Sequence, residues 1–379
     1  MKVLYITASL SKGGASVGSR NTIEALRSVG IDVVAVDTHN SKMPYFICNI
    51  LRKAERLLER VLVKPSMNDA HFLKIFPASL DIEYLIKKHQ PDIIQLGFIA
   101  GNIINYKKLN SIKKPIVWRL SDFWAVCGPF HYPYADKKSY KNLIINYLYK
   151  NYDFSFIKNT TVVAPSIWTK NLIIQKSVIH PKNLIFIPNA VKVSTPSPKK
   201  TNVKGRNLVF IIIASNLSDK RKGVLKFLDF ISTLVSNYKI PITLKLIGNS
   251  SQLLKSPLID IVSLGSLQKK TVMDHITNSD YLICPSTLDN SPNVVTESLS
   301  LGVPVIVQKN SGAESYITPQ RSGASFDFSD LSKENLENFH QFISNSDFDP
   351  KEVQSICKEN FSFNKVGMQY LTLYNKVIK

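Results

Sequence analysis

Short apolar runs alternate with longer amphipathic segments through the first half of the chain. The runs are rich in β-branched residues and apolar at consecutive positions, which is typical of parallel strands covered on both faces. We predict strands at Val3–Thr7, Asp32–Asp37, Ile93–Gly97, Ile116–Leu120, Thr161–Pro165 and Leu184–Pro188. Helices are predicted between them, for example at Val17–Val29 and Ser166–Ser177. The alternation predicts an α/β domain with a parallel sheet.

The alternation stops at residues 191–206, a segment with prolines, glycine and lysines that we interpret as a linker. A second series follows, with strands predicted at Leu208–Ala214, Ile242–Ile247, Ile261–Leu264, Tyr281–Pro285 and Val303–Val307. Helices are predicted at Gly223–Ser236, Lys269–Asn278 and within Lys333–Lys379. Because one core organises roughly 250–300 residues, we expect two doubly wound, Rossmann-like domains, residues 1–190 and 207–358. Such domains bind ligands at the carboxyl ends of their strands, here in a central cleft that the two domains face.

The net charge of +20 is concentrated in the first half of the chain. Residues 1–200 hold 29 Lys and Arg against 12 Asp and Glu, a balance of +17, which leaves +3 for the remainder. Basic and apolar residues mix in two helical segments, Ile50–Lys64 and Lys137–Lys150. Such helices either lie on an anionic membrane surface or pack on a sheet with their lysines in solvent, and the pattern leaves both open.

Several function classes find no support in the sequence. The cationic segments lack an RNP motif, a helix-turn-helix or a zinc finger, so we expect no nucleic-acid partner. The four cysteines form no Cys-x-x-Cys pair, which argues against a zinc site and a disulfide framework. No apolar stretch approaches the ~20 residues of a membrane span, and the first residues do not resemble a secretory signal. We expect a cytoplasmic protein, or one held peripherally on the inner face of the cell membrane.

The segment Asp289-Asn-Ser-Pro-Asn-Val-Val-Thr-Glu297 carries the strongest chemical signal. A polar turn between the two carboxylates would present backbone N–H groups at a helix N-terminus, which favours an anion such as a diphosphate. Glu297 inside the helix would accept hydrogen bonds from nucleotide hydroxyls, and Asp289 from a further polyol. An acidic loop that caps an ordinary helix is the alternative.

Other polar segments also follow predicted strands. Lys220, Arg221 and Lys222 stand together at a predicted helix start, where cations oppose the helix dipole unless an anion binds. Gly13 and Gly14 open the first helix, and adjacent glycines there let a ligand approach the backbone. The aromatic-rich segment from Val117 to Tyr132 contains one Asp and one His. For Gly13 and Gly14, the alternative is a tight turn without a ligand. For the aromatic-rich segment, the alternative is that its histidine is structural.

In order and spacing, these segments resemble the retaining glycosyltransferase family 4. Asp289 to Glu297 resembles its acidic-x7-Glu signature, with Asp where the family usually has Glu. Arg221 and Lys222 resemble its Arg/Lys pair.

Segments of the first domain also resemble motifs of this family, although less closely. Asp122, Trp124, Gly128 and His131 resemble the family's His-Asp segment, with Ser121 in place of that His. Residues 187–191 resemble the family's Ile-Pro-Asn-Gly turn, with Ala in place of Gly.

The resemblance implies the GT-B fold, with acceptor binding by residues 1–190 and nucleotide-sugar binding by residues 207–358. It also implies that residues 359–379 form a helix that packs back on the first domain. The catalytic residues that it implies are Asp122, His131, Arg221, Lys222 and Asp289. The donor contacts that it implies are Gly13, Gly14, Asn189, Asn216, Gly265, Asn290, Ser291, Asn293, Val294 and Glu297. No metal or other cofactor is expected, because cations and helix dipoles would neutralise the diphosphate.

The function implied is transfer of a sugar, with retention, from a UDP- or GDP-sugar to a glycan or lipid-linked acceptor. We expect this in the synthesis of bacterial surface polysaccharide, such as O-antigen, capsule or exopolysaccharide. The basic first domain favours an acceptor at an anionic membrane surface. The alternative is a degenerate, non-catalytic nucleotide-sugar-binding module of the same fold.

Overall fold

The computed structural model describes residues 1–11, 13–41, 45–62, 75–76, 78–132, 147, 149, 153–193, 207–250 and 256–379. It divides into two compact units, of which unit 1 comprises Met1–Ala190 and Phe363–Lys379, and unit 2 comprises Val191–Ser362. The last segment therefore joins unit 1 from Phe363, four residues after the predicted start at 359. The predicted linker lies outside the described residues from residue 194 onward.

Unit 1 contains a parallel sheet built from the short apolar runs. Its strands are β1 Lys2–Ile6, β2 Asp32–Val36, β3 Ile93–Leu96, β4 Ile116–Arg119, β5 Thr161–Ala164 and β6 Asn183–Phe186. They are hydrogen-bonded in the order β2-β1-β3-β4-β5-β6. Successive residues of β1 enter different cores, Val3 and Tyr5 one core and Leu4 and Ile6 another. The sheet is thus covered on both faces, which explains its nearly continuous apolar runs.

Before residue 190, unit 1 includes the helices α1 Gly14–Ser28, α2 Tyr45–Leu62, α3 Ile82–His89, α4 Tyr106–Leu109 and α5 Ile167–Lys176. Side-chain caps fix several of their starts: Ser166 Oγ, for example, accepts the Thr169 N–H at 3.0 Å at the start of α5. The first predicted basic helix corresponds to α2. The second, Lys137–Lys150, lies outside the described residues except for Tyr147 and Tyr149.

Unit 2 contains a second parallel sheet. Its strands are β7 Leu208–Asn216, β8 Ile242–Asn249, β9 Asp260–Gly265, β10 Tyr281–Cys284, β11 Val305–Gln308 and β12 Gly323–Phe326. The hydrogen-bonded order is β12-β11-β10-β7-β8-β9, with every pair parallel. The sequence pattern did not predict β12, whose residues Gly-Ala-Ser-Phe are mostly small.

Helices cover the second sheet as well. They are α6 Val224–Tyr238, α7 Lys269–Thr277, α8 Asn293–Ser300, α9 Lys333–Asn345 and α10 Pro350–Phe361. Aromatic side chains join α6, α9 and the segment after β12, since the rings of Phe230 and Phe339 lie 5.1 Å apart and those of Phe227 and Phe328 5.0 Å apart. The two parallel sheets with their helices confirm the two doubly wound α/β units that the sequence predicted.

The final helix, α11 Phe363–Ile378, belongs to unit 1 and packs on α1. Val366, Tyr370 and Tyr374 are buried there. The helices approach closely because Gly367 faces the Ala25 backbone, where an added Cβ would overlap the Ala25 carbonyl oxygen. No helix within the described residues combines the length and apolar character required to cross a membrane.

Candidate active site

The Asp289 loop connects β10 to α8 at the carboxyl edge of the second sheet. Strand β10 is fully buried and ends at Cys284, and α8 begins at Asn293, so residues 285–292 form the connection that contains Asp289. The N-cap residue of α8 is Pro292, which makes no side-chain hydrogen bond to the helix start. The positive end of the helix dipole at Asn293 and Val294 therefore faces this loop without a side-chain cap, an arrangement suited to an anionic group.

Asp289 and Lys222 form an ion pair that links this loop to the turn before α6. Lys222 Nζ lies 2.5 Å from Asp289 Oδ2, and both side chains are mostly buried, with exposed fractions of 28% and 18%. The negative charge of Asp289 raises the pKa of Lys222 although burial opposes the ammonium charge. Two of the predicted catalytic residues, 67 positions apart in sequence, thus contact each other directly.

The basic turn is arranged differently from the prediction that three cations oppose a helix dipole. Residues 220–222 form a short 3-10 helix of their own, and α6 begins only after Gly223, which has a left-handed φ of 66°. Asp219 caps this turn by accepting the Arg221 N–H at 2.9 Å, and it also binds the guanidinium, with Nη2 at 2.7 Å. The predicted electrostatic conflict was wrong, because the sequence reading left out Asp219 and Asp289 as partners.

Asp219 is therefore a residue that the sequence reading missed. Burial opposes its charge, but the hydrogen bonds from Arg221 outweigh burial and hold the pKa of Asp219 below its usual range. The Arg221 carbonyl oxygen in turn accepts the Thr287 N–H at 2.9 Å. Arg221 thus connects the basic turn to the segment just before Asp289. The pattern that could have revealed Asp219 is an Asp two positions before an Arg in a turn.

Glu297 lies in the middle of α8 with 13% of its side chain exposed. Its Oε1 is 3.2 Å from Lys269 Nζ at the start of α7, and Lys269 is 70% exposed. Asp289 and Glu297 therefore each contact a lysine. The Lys269 end of this ion pair lies mostly in solvent, and the Glu297 end is mostly buried.

Asn290 and Gly312 determine the shape of the loop between the two carboxylates. Asn290 is 2% exposed, and neither atom of its side-chain amide has a hydrogen-bond partner within the described part of the chain. Buried amides without partners are uncommon and costly. The Gly312 N–H donates to the Asp289 carbonyl oxygen at 3.2 Å. An added Cβ at Gly312 would overlap the carbonyl oxygens of Asp289 and Asn290, so the loop requires glycine at this position.

The other predicted donor contacts of unit 2 follow strands of the same sheet. Asn216 ends β7 and its Oδ1 accepts the Ser218 N–H at 3.0 Å. Gly265 ends β9 with a left-handed φ of 64°. Because all strands of this sheet are parallel, both residues lie at the same carboxyl edge as Asp289. Ser291 lies two positions after Asp289, and its N–H donates to Asp289 Oδ1 at 3.4 Å.

In unit 1, Asp122 and His131 form a hydrogen-bonded pair after β4. His131 Nδ1 contacts Asp122 Oδ2, and Asp122 Oδ1 accepts the Trp124 N–H at 3.1 Å. The imidazole also stacks on Phe98, with ring centroids 5.9 Å apart. A carboxylate at one ring nitrogen fixes the orientation and the tautomer of a histidine.

The remaining predicted residues of unit 1 lie at the start of α1 and after β6. Gly13 precedes α1 with a φ of 96°, and Gly14 begins the helix. Asn189 is buried, and its Oδ1 accepts a hydrogen bond from Arg119 Nη2. Arg119, at the end of β4, is 2% exposed and was missed by the sequence reading. A charged residue inside an apolar strand was the available signal.

Within the described residues, no group of three or more His, Cys, Asp or Glu side chains is placed to hold a metal ion.

Two family models match adjoining parts of the chain. The model described as Glycosyltransferase Family 4 matches residues 12–195, and the model described as Glycosyl transferases group 1 matches residues 195–360. The chain is a GT-B glycosyltransferase. The second model contains the whole Lys222, Asp289 and Glu297 region, and the first contains the Asp122 and His131 pair of this glycosyltransferase.

Solved structures agree with this GT-B assignment at the level of the fold. Sucrose-phosphate synthase from Thermosynechococcus elongatus aligns with a TM-score of 0.67 and 13% identity, covering 99% of this chain and 98% of that one. The lipopolysaccharide outer core galactosyltransferase WaaB aligns at 0.62 and 15%, covering 99% and 100%. HepE of Anabaena in complex with UDP and glucose aligns at 0.55 and 16%, also covering 99% and 100%. No curated protein sequence matches the glycosyltransferase significantly.

Proposed function

We propose that this glycosyltransferase transfers a hexose, with retention, from a UDP- or GDP-sugar to a glycan or lipid-linked acceptor. The pathway proposed is the synthesis of bacterial surface polysaccharide, such as O-antigen, capsule or exopolysaccharide. The Lys222–Asp289 ion pair, in the loop that leads into α8, is the observation that carries the proposal. It brings a cation for a diphosphate and a carboxylate for sugar hydroxyls within 2.5 Å of each other.

The similar structures supply the first donors to test. HepE was solved with UDP-glucose, and WaaB is described as a galactosyltransferase of the lipopolysaccharide outer core. These descriptions belong to those proteins, and they support UDP-glucose and UDP-galactose as the first candidates for this chain.

In the proposed reaction, the acceptor oxygen forms a bond to the anomeric carbon while the bond from that carbon to the diphosphate breaks. The acceptor proton passes to the departing phosphate oxygen, so no carboxylate base is needed. Lys222 exchanges Asp289 for the diphosphate, and Asp289 turns to the sugar hydroxyls. Because negative charge grows on the leaving diphosphate, the Lys222 ammonium and the start of α8 stabilise the transition state more than the bound donor.

Glu297 and the unit 1 pair have supporting roles in the proposal. Glu297 exchanges Lys269 for the ribose hydroxyls and thereby orients the donor. His131, oriented by Asp122, is the proposed polar contact of unit 1 with the substrates.

The non-catalytic alternative rests on Asp289 and Ser121 standing where the family usually has Glu and His. At Asp289 the shorter side chain still contacts Lys222 at 2.5 Å, so this departure leaves the cation in place.

The proposal is tested first by thermal shift with UDP-glucose, UDP-galactose and GDP-mannose. A donor at about 100 times its Kd adds ~2.7 kcal/mol of stability. The donor found is then incubated with the enzyme and extracted acceptor lipids, and the anomeric configuration of the product is read by NMR. Glu297→Ala should lose donor binding and transfer, and Glu297→Gln should lose less, with the exposed Glu337→Ala as control. Donor binding without any turnover would favour the binding module, and an inverted product would exclude retention.

A further inference from the structure

Helix α2 is oriented with its apolar side outward. Phe46, Ile50 and Leu57 are 63%, 57% and 64% exposed. Residues four and seven positions apart share one face of a helix, so these side chains form a continuous row, here called the α2 apolar stripe. The exposed Lys53 lies between Ile50 and Leu57 on the same face. A helix packed on a sheet would bury this stripe.

Two carboxylates lie on the inward side of α2. Among the residues of α2 whose side chains are described, only Glu55 and Glu59 are buried, with exposed fractions of 4% and 5%. Glu55 Oε1 accepts the N–H groups of Ile75 and Phe76 at 2.8 and 2.9 Å. Glu59 Oε2 binds Arg56 Nη1 at 2.7 Å. Charged groups rarely occupy an interior unless they are paired.

These contacts fix the rotation of the helix about its axis. Turning the α2 apolar stripe inward would remove the hydrogen bonds of Glu55 and expose or unpair Glu59, and an unpaired buried carboxylate is strongly unfavourable. Burial, with a further contribution from the charges of Glu55 and Glu59, also raises the pKa of the nearby Tyr106 hydroxyl. The outward direction of the stripe is therefore built into the packing of unit 1.

The charge of the chain indicates what kind of surface the α2 apolar stripe binds. Residues 1–200 carry +17, which repels a second copy of the same surface and attracts a negatively charged one. A row of apolar side chains about 16 Å long on a straight helix fits a plane better than a pocket. An apolar stripe with cations beside it is typical of helices that lie in the headgroup region of a bilayer.

We propose that α2 docks unit 1 on an anionic lipid surface by inserting Phe46, Ile50 and Leu57 between the headgroups. Lys53 contributes charge attraction from within the stripe, and its aliphatic stem remains among the apolar side chains. Arg56 contributes less than a solvated cation because Glu59 neutralises it. The proposal extends the proposed function by placing the enzyme where a lipid-linked acceptor resides.

The test uses the full chain and vesicles of phosphatidylcholine with or without phosphatidylglycerol, in the absence of any sugar donor. The wild type should sediment with the acidic vesicles, and part of this binding should persist at high salt, since screening weakens charge attraction but not apolar insertion. The variant Ile50→Gln/Leu57→Gln should bind about 100-fold more weakly, at about tenfold for each side chain. The matched control Leu225→Gln/Leu258→Gln, which alters exposed leucines of unit 2, should bind as the wild type does.

A second variant reports insertion directly and keeps the stripe apolar. In Leu57→Trp, the added fluorescence should shift to the blue with acidic vesicles and be quenched by brominated lipid chains. Wild-type binding that is absent, equal on neutral vesicles, or unchanged in Ile50→Gln/Leu57→Gln would overturn the proposal. A dimer that this double substitution abolishes would instead assign the stripe to a second copy. Donor binding is measured separately, so failure here leaves the proposed transfer reaction untouched.

Discussion

Lys222 is the residue on which the proposed chemistry depends most. We predict that Lys222→Ala lowers kcat by about 100-fold to 1,000-fold and raises the donor KM much less, because the ammonium acts on charge that grows in the transition state. The control is Lys226→Ala, an exposed lysine in the first turn of α6 whose Nζ lies 3.2 Å from Ser329 Oγ. Steady-state kinetics measure both parameters. A rise in KM alone would show that Lys222 only binds the donor.

Asp219 is predicted to stabilise the basic turn in a pH-dependent way. Its folded pKa is lowered, so its charge contributes stability above the unfolded value of about 3.9 and loses that contribution as the pH falls through the folded pKa. Asp219→Asn retains a side-chain oxygen for the cap and removes the charge. Urea unfolding should show the wild type more stable than Asp219→Asn at about pH 6, with the gap closing toward about pH 2. A gap that is independent of pH would contradict this account.

At the residue level, the sequence indicated where these side chains lie better than which side chains they contact. Asp289, Lys222 and Glu297 were chosen from spacing, and the structure places them at one edge of one sheet. The contacts of Lys269 with Glu297 and of Asp122 with His131 span 28 and 9 positions, and spacing alone does not pair such side chains. The basic turn was misjudged because its countercharges come from Asp219 beside it and from Asp289 on a distant loop.

The connection between β10 and α8 shows how one element supports another. The 3-10 helix Gly312–Tyr316 contacts the loop through a hydrogen bond from the Gly312 N–H to the Asp289 carbonyl oxygen. We predict that Gly312→Ala displaces the loop, lowers stability by about 1–3 kcal/mol and weakens donor binding. Melting curves and donor titration measure the two effects. Gly14→Ala serves as the control for stability, since nothing lies within 4 Å of its added Cβ.

Elements with a strong apolar signal were predictable, and those defined by tertiary contacts were not. Strand β7 was predicted from its buried run of Val, Phe and Ile residues. Strand β12 was not predicted because it consists mostly of small residues at the sheet edge. Its hydrogen bonds come from pairing with β11. The two faces of α2 were visible in the sequence. Which face points inward depends on the N–H groups of Ile75 and Phe76, which periodicity does not reveal.

At the scale of the whole molecule, unit 1 depends on a helix from the far end of the chain. We predict that removal of residues 363–379 unfolds unit 1, because Val366, Tyr370, Leu373 and Tyr374 cover its core. Burying each large side chain contributes about 1.5–3 kcal/mol, so the loss is comparable with the ~5–15 kcal/mol stability of a typical domain. Limited proteolysis should degrade unit 1 first, and removal of Ile378 and Lys379 alone should have little effect. Protease resistance of unit 1 in the longer truncation would refute this dependence.

Because α11 belongs to unit 1, its place in the chain also determines the order in which the two units can finish folding. A ribosome makes β1 and α1 early, yet it makes the helix that seals them only after all of unit 2. Until then, Tyr5 and Leu26 of the nascent chain lack their cover, and such apolar surfaces attract chaperones or neighbouring chains. Unit 2 has no such delay, because its segments are consecutive in the chain. The second unit is thus the first that can complete its fold, and a translation arrest before Phe363 yields a complete unit 2 joined to an unfinished unit 1.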